Sequence, residues 1–558
     1  MLILSRIRRV KCDEGKPVCA RCSTTGRVCD GYGIWGGGGN SYAERYGSPK
    51  SQSPSPITIE RGLTKAIGVQ ELRHLQWFRM KVIHTVSGWF GSQFWAKVAL
   101  PATSTEPAIL HAVIALSAAH MCEFHPWQAP DARERFVLQQ YSKAINLLQS
   151  VLLHRDKTSI AVVLIVCQVF TFLEYLRGKH KLAETHLRNG LRLLKDLYTE
   201  ESMSYHGVVV LKPASHAKVL DHGIVRSFAT MHLQADLFGR HLAGIDMILQ
   251  PMETEVPFPT FANVEEAKDC LDKLLHGILL ISQKLRENRD GFENDWSRFD
   301  HAQEQAMSLL QAWLETYYRT TVEMKRRILL NGNPPEGPLA FGTKTPPSTK
   351  PITREPIAYK LLLSYHAMAT IMCNCLRADS ESAYEAHTTE FMIILEGSIE
   401  LWKAYLLALS VPNNVKLSDS ISEFGFLPPL YYTALKCRNH RIRLHAIRLL
   451  SQIPHKEGVW DSNITASVGR KVMRLEEAEV SRGMDFDFDD EFPLEVVPDL
   501  DAYCYPKLPE SSLFHEVQVD LQEEPANSAV LTCKRWQVDG NLEVLKCHFD
   551  GRRWTNIP

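Results

Sequence analysis

Net charge, an uninterrupted hydrophobic span and a catalytic signature are all missing from this chain of 558 residues. Lys and Arg total 63 against 64 Asp and Glu, a formal charge of −1 at pH 7. That balance leaves no global field for a polyanion, so any affinity for nucleic acid has to be local. The longest apolar stretch, IAVVLIVCQVFTFL (Ile160–Leu173), is interrupted by Gln168 and Thr171. It also falls short of the roughly 20 residues needed to span a bilayer, so it reads as a buried core helix and no membrane partner is expected. MLILSRIRR carries too short an apolar stretch for a signal peptide. No G-x-S-x-G, H-E-x-x-H or G-x-x-x-x-G-K-[ST] occurs, so no nucleophile, metalloprotease helix or phosphate loop is nominated and the chain is not read as an enzyme. No fixed repeat period supports a solenoid. Thirteen cysteines make an odd count, and nine of them scatter irregularly from Cys122 to Cys547. That is no disulfide framework, and it fits a soluble chain in a reducing, intracellular compartment.

What is present divides by composition. Residues 1–32 hold a basic, cysteine-bearing head, and residues 33–68 a flexible linker rich in Gly, Ser and Pro (GIWGGGGNSYAERYGSPKSQSPSP). Residues 69–483 show apolar residues at three- and four-residue steps, which predicts a large all-α domain. In EPAILHAVIALSAAHMCEF, Pro107 takes a tolerated first-turn position while Ile109, Val113, Leu116 and His120 line one face. Further helices are expected at 158–176, after Gly178, and around 264–288, 299–330, 356–377, 387–410, 428–452 and 462–481. Residues 484–510 form an acidic segment; Met484–Pro506 has eight acidic residues and no basic one, with Phe and Leu interleaved. It reads as a loop at the domain's edge or as an activation segment that folds onto a coactivator. Residues 511–558 form a tail in which Asp539-Gly540 predicts a type I′ β-hairpin. The fold class expected is mainly α, closed by a short hairpin.

The head concentrates the chemistry. Arg6, Arg8, Arg9, Lys11, Lys16, Arg21 and Arg27 face only Asp13, Glu14 and Asp30, a local surplus of four positive charges. Among them runs Cys12-x6-Cys19-x2-Cys22-x6-Cys29. Thiolates are soft ligands that suit Zn²⁺, and a Cys-x2-Cys step lets two sulfurs grip one ion through a tight turn.

RIRRVKCDEGKPVCARCSTTGRVCDGY resembles the fungal binuclear zinc cluster, Cys-x2-Cys-x6-Cys-x6-Cys-x2-Cys-x6-Cys, in which six thiolates hold two zinc ions. The resemblance implies that Cys12, Cys19, Cys22 and Cys29 are the third to sixth ligands, and that Lys11 reads a CGG triplet of double-stranded DNA. It places Arg6, Arg8 and Arg9 on the basic helix and Pro17 in the loop between half-clusters; Lys16 and Arg21 join the DNA-contacting set. Leu2 and Ser5 stand where the first two cysteines are expected. Two tetrahedral ions need eight coordination slots and the cysteines present fill five, so an incomplete cluster is expected. Two explanations stay open: a chain that begins inside its gene, or a regulator that has lost direct DNA recognition. EPAILHAVIALSAAHM, FLEYLRGKHKLAETHLRNGLRLLKDL and the stretch from Leu427 to Glu479 resemble the fungal-specific transcription factor domain. Together these imply a nuclear regulator of RNA polymerase II transcription, with a homodimer or a coactivator among its partners. The alternative is a helical interaction protein without direct DNA binding.

Within the body, His440 and His445 of RNHRIRLH are expected on a solvated helix face, and the neighbouring arginines in salt bridges rather than on an anion or effector. Cys373 and Cys375 are two apart, diverge on a helix, and are expected in core packing.

Overall fold

Helices follow the apolar spacing closely, and their ends follow the capping residues. The structure is a computed structural model that describes Thr24 and residues 67–124, 130–152, 157–199, 204–205, 208–209, 212–213, 221–240, 256–287, 296–331, 354–410, 420–452, 454–481, 492–500, 505–523 and 528–557. The chain divides into two units, Met1–Glu60 and Arg61–Pro558. In the second, α1 (Val69–Trp77) continues through a π-helical turn (Phe78–Val82) into Ile83–Val86. Next come α2 (Pro107–Phe124), α3 (Pro130–Leu152), α4 (Lys157–Leu176), α5 (His180–Leu197) and α6 (His222–Leu237). α7 (Val264–Glu287), α8 (Trp296–Asn331), α9 (Arg354–Asn374) and α10 (Thr388–Ser410) follow, then α11 (Leu427–Lys436), α12 (His440–Gln452) and α13 (Ser462–Glu476). The fold is mainly helical.

Pro107 is the first residue of α2, where a missing N–H costs nothing. Ile109, Val113, Leu116 and His120 are buried as the spacing requires, and so are Ala112, Ala115 and Ala119 on the other faces. α2 is therefore covered nearly all round, by α1, α3 and α4. The apolar helix α4 is a core element too. Leu164, Val169, Phe172 and Leu173 are buried, and Gln168 donates to Ser227 Oγ on α6 at 2.6 Å. α5 buries one stripe, Ala183, Leu187, Leu191 and Leu194. Gly190 on that stripe lets α6 close in, because a Cβ there would sit 2.2 Å from the Phe228 ring.

Two expectations are corrected. The helix expected over 428–452 is broken: Cys437 is extended (φ −64°, ψ 137°), and Asn439 starts α12 by accepting from the Ile442 N–H at 3.2 Å. Asparagine competes well at a helix start, and the apolar period alone does not register the break. The hairpin exists, but inside an antiparallel sheet of four strands. These are β1 (Glu516–Gln522), β2 (Ser528–Trp536), β3 (Leu542–Phe549) and β4 (Trp554–Ile557), in the order β4-β3-β2-β1. Its turn is not the two-residue type I′ form. Gly540 N–H donates to Gln537 O at 2.9 Å and Gly540 has φ +80°, so the turn spans Gln537–Gly540 with the glycine as its last residue, in the left-handed region. Ala529, Leu531 and Cys533 of β2 join the hydrophobic core formed by the helices.

At the entry to α1, Glu71 reaches back to the Gly68 N–H at 2.9 Å and accepts from Gln140 at 2.8 Å and Lys143 at 2.7 Å. Burial works to raise its pKa, but these hydrogen bonds outweigh it and hold the carboxyl at about 2, below its ordinary 4.5. A lowered folded-state pKa stabilises fully above about pH 4.5, and that contribution is lost as pH falls toward 2. Glu71→Gln should therefore cost about 2 kcal/mol at pH 7, with the deficit shrinking below pH 4.5. Melting temperatures of both proteins measured from pH 7 to 3 check this; a constant deficit would show that the charge is not responsible.

Candidate functional site

The sequence nominates two places, and the described residues cover one of them. Cys12, Cys19, Cys22 and Cys29 lie outside the described residues, as do Arg6, Arg8, Arg9, Lys11, Lys16 and Arg21. Their donor chemistry is that of the sequence alone: four thiolates that suit zinc in kind, beside the six of the family's two-ion cluster.

The second place is the junction of α11, α12 and α13, where RNHRIRLH lies. His445 is buried rather than solvated, with Nε2 3.1 Å from Leu494 O, and burial pushes its pKa down to about 4. His440 sits 2.8 Å from Glu477 Oε2 and stacks on Tyr505 at 4.3 Å. The solvated-face expectation is thus corrected. α12 carries the segment after residue 491 on top of it, a long-range contact that local spacing does not reveal.

Arg438 and Arg443 fulfil the salt-bridge expectation. Arg443 is fully buried; its Nε donates to Ala434 O at 3.0 Å, and its guanidinium lies 2.7 Å from Glu476 and 3.8 Å from Glu477. Arg438 bridges Glu381 at 2.5 Å and Glu476 at 3.5 Å, while Lys436 meets Glu381 at 2.9 Å. Burial disfavours the charges of Lys436 and Arg438, yet the facing glutamates raise both pKa values above their ordinary ones. Lys436, Arg438 and Arg443 are balanced by Glu381, Glu476 and Glu477, which leaves the cluster no surplus charge for an anionic effector.

The described part of the acidic segment packs back on this junction. Phe492 lies under Arg448 (4.5 Å) and Arg441 (5.8 Å), and Arg448 donates to Phe492 O at 2.8 Å. Leu494 is buried, and Tyr505 donates to Glu477 at 3.1 Å. Cys373 is buried, with its pKa pushed up to about 12 by that burial, and Cys375 is half-buried, as core packing requires.

A third group went unnoticed in the sequence. His232 and Asp236 on α6 and His276 on α7 are all buried, and their ligand atoms lie within 4.8 Å of one another. The signal was faint: a histidine and an aspartate four apart in MHLQADL, and a lone histidine in LLHGILL.

Residues 6–34 match the fungal Zn(2)-Cys(6) binuclear cluster domain family, and residues 73–251 the fungal specific transcription factor domain family. The chain carries both segments, and the proteins it is similar to are fungal transcription regulators. The Aspercryptin biosynthesis cluster-specific transcription regulator atnN of Emericella nidulans is 24% identical, across 85% of this chain and 87% of that protein. The Transcription regulator lscL of Purpureocillium lilacinum is 28% identical, across 41% of this chain and 57% of that protein. No solved structure matches. In this regulator the family-matched body segment takes in α2 to α6, whereas the α11–α13 ion cluster lies beyond it.

Removing Arg443 leaves Glu476 and Glu477 buried with less compensation, so Arg443→Met should destabilise the fold by about 3–5 kcal/mol. Adding Glu476→Gln should restore part of that loss, because a stranded charge is then removed as well. Urea unfolding of the three proteins checks this; simple additivity would show that the pair does not act as a unit.

Proposed function

We propose that the regulator binds double-stranded DNA at CGG-type sites through its head and controls RNA polymerase II transcription in the nucleus, without catalysis. One observation carries the reading: Cys12-x6-Cys19-x2-Cys22-x6-Cys29 lies among the basic residues of the segment that matches the zinc-cluster family. Lys11 is assigned the base contact, since a lysine can reach the O6 and N7 acceptors of guanine in the major groove. Arg6, Arg8, Arg9, Lys16 and Arg21 are assigned to phosphates, where they fix register and release counterions. The thiolates at Cys12, Cys19, Cys22 and Cys29 are assigned to Zn²⁺. Because they fall short of the two-ion set, no step of DNA recognition is routed through the metal. Pairing of two copies falls to the helical domain, as the linker carries no sustained heptad. A coactivator drawn to residues 484–510 has to compete with the contacts of Phe492, Leu494 and Tyr505, which favours the domain-edge role for that stretch.

A second reading, a helical interaction protein without direct DNA binding, is favoured by Leu2 and Ser5 at the positions of the first two cluster ligands. Titration of the full chain with a CGG-containing duplex and a scrambled duplex separates the two readings. Under the first, Lys11→Met should lose about 1–3 kcal/mol of preference for CGG. Arg8→Ala should weaken both duplexes alike and lower the salt slope by about 0.9. Equal, weak binding of both duplexes by the parent chain supports the second reading.

A further inference from the structure

We propose that the helical domain holds a divalent transition-metal site of the zinc type between α6 and α7, built from His232, Asp236 and His276 and separate from the cysteine head. His232 and Asp236 are four residues apart on α6 and so share one face of it. His276 comes from α7, which packs against that helix. His232 Nε2 lies 3.5 Å from Asp236 Oδ2. That matches the spacing of about 3.3–3.5 Å that two ligands take around a tetrahedral ion bound at about 2.0–2.1 Å. It is long for the hydrogen bond that would otherwise explain the pair. The His232 and His276 rings stand 5.2 Å apart, nearly perpendicular at 77°, and one ligand atom from each of the three residues falls within a 4.8 Å group. Small side-chain adjustments bring such a group to coordination distance.

Three further observations point to a ligand. His276 Nε2 is buried and has no hydrogen-bond partner, which is costly for a polar ring atom unless something else meets it. His232 and His276 are both at least nine-tenths buried, so neither is a surface histidine placed by chance. A small recess beside His276, lined also by Thr230, Leu233 and Asp272, has room for about one water. Of the three ligands, His276 is the one that lines it.

The charges around the recess do not oppose a cation. Arg226 lies 3.5 Å from Asp269, and Lys273 lies 3.0 Å from the same carboxylate. Lys268 is paired with Asp272 and lies 3.7 Å from Glu423. Two imidazoles and a carboxylate favour zinc, cobalt or nickel over magnesium or calcium, which prefer all-oxygen shells. An ion here would staple α6, within the family-matched segment, to α7 beyond it.

The test uses the full chain with Cys12, Cys19, Cys22 and Cys29 all changed to Ser, so that no head thiolate can answer for the metal. Titration with Co²⁺ should give one ion per chain, visible d–d absorption without a thiolate-to-metal band, and displacement by Zn²⁺. Zn²⁺ should raise the melting temperature of the same protein. In that background His276→Gln and Asp236→Asn should each weaken Co²⁺ binding at least about tenfold, a loss that even a second-shell change can cause. Circular dichroism of the metal-free proteins shows whether each variant is folded. If a variant fails to fold, the stoichiometry and spectrum of the Cys-to-Ser chain decide. Absence of bound Co²⁺, a thiolate band, or binding unchanged in the folded variants overturns the proposal.

Discussion

The guanidinium of Arg443 is fully buried, and the ends of α11 and α13 are arranged around its charge. Its Nε takes the Ala434 carbonyl at the end of α11, and its terminal nitrogens face Glu476 and Glu477 at the end of α13. Those carboxylates are then committed elsewhere as well. Glu476 also accepts from Phe514 N–H at 2.9 Å, just before β1, and Glu477 takes His440 and Tyr505. One buried charge thus fixes the angle between three helices and the point where the chain turns into the sheet. A buried ion pair is seldom a net source of stability against an apolar equivalent, but it tolerates few alternative arrangements. Here its effect is to specify which helix ends meet.

A similar logic runs along α7 with different chemistry. Lys268 is 2% exposed, stands between the Phe90 and Phe424 rings, and is held by Asp272 and Glu423. Burial raises the pKa of both carboxyl groups, against the pull of Lys268. This polar seam crosses a core that is otherwise made of Leu, Ile, Val and Phe. The helices on its two sides therefore have a preferred register that hydrophobic contact alone would not impose.

Regulators of this family join a small basic head to a large helical body, and the two halves are specified by different physics. The head is specified by the spacing of thiolates and the sign of its charges, which are one-dimensional properties. The body is specified by packing, where many sequences fill the same volume. That difference matches the similarity to known regulators, which is low in identity yet extends across 85% of this chain.

Legibility in the sequence followed the same division. Spacing from Cys12 to Cys29 and the surplus of Arg and Lys beside it were enough to name the family, because metal geometry dictates local spacing. The periodicity of α2 and α5 and the breaker at Asp539-Gly540 were enough for helix and hairpin, because their hydrogen bonds close within a few residues. Sequence could not show that His445 lies under Leu494, nor that β1 and β4 join the hairpin. Nor could it bring His232, Asp236 and His276 together. The histidine contacts span 40 or more residues and form only when the buried faces have chosen their neighbours, whereas β1 and β4 pair with strands close by in the chain. At the Cys437 break, Asn439 supplies a local start for α12, and with the chain turned there Arg438 and Arg443 reach their glutamates.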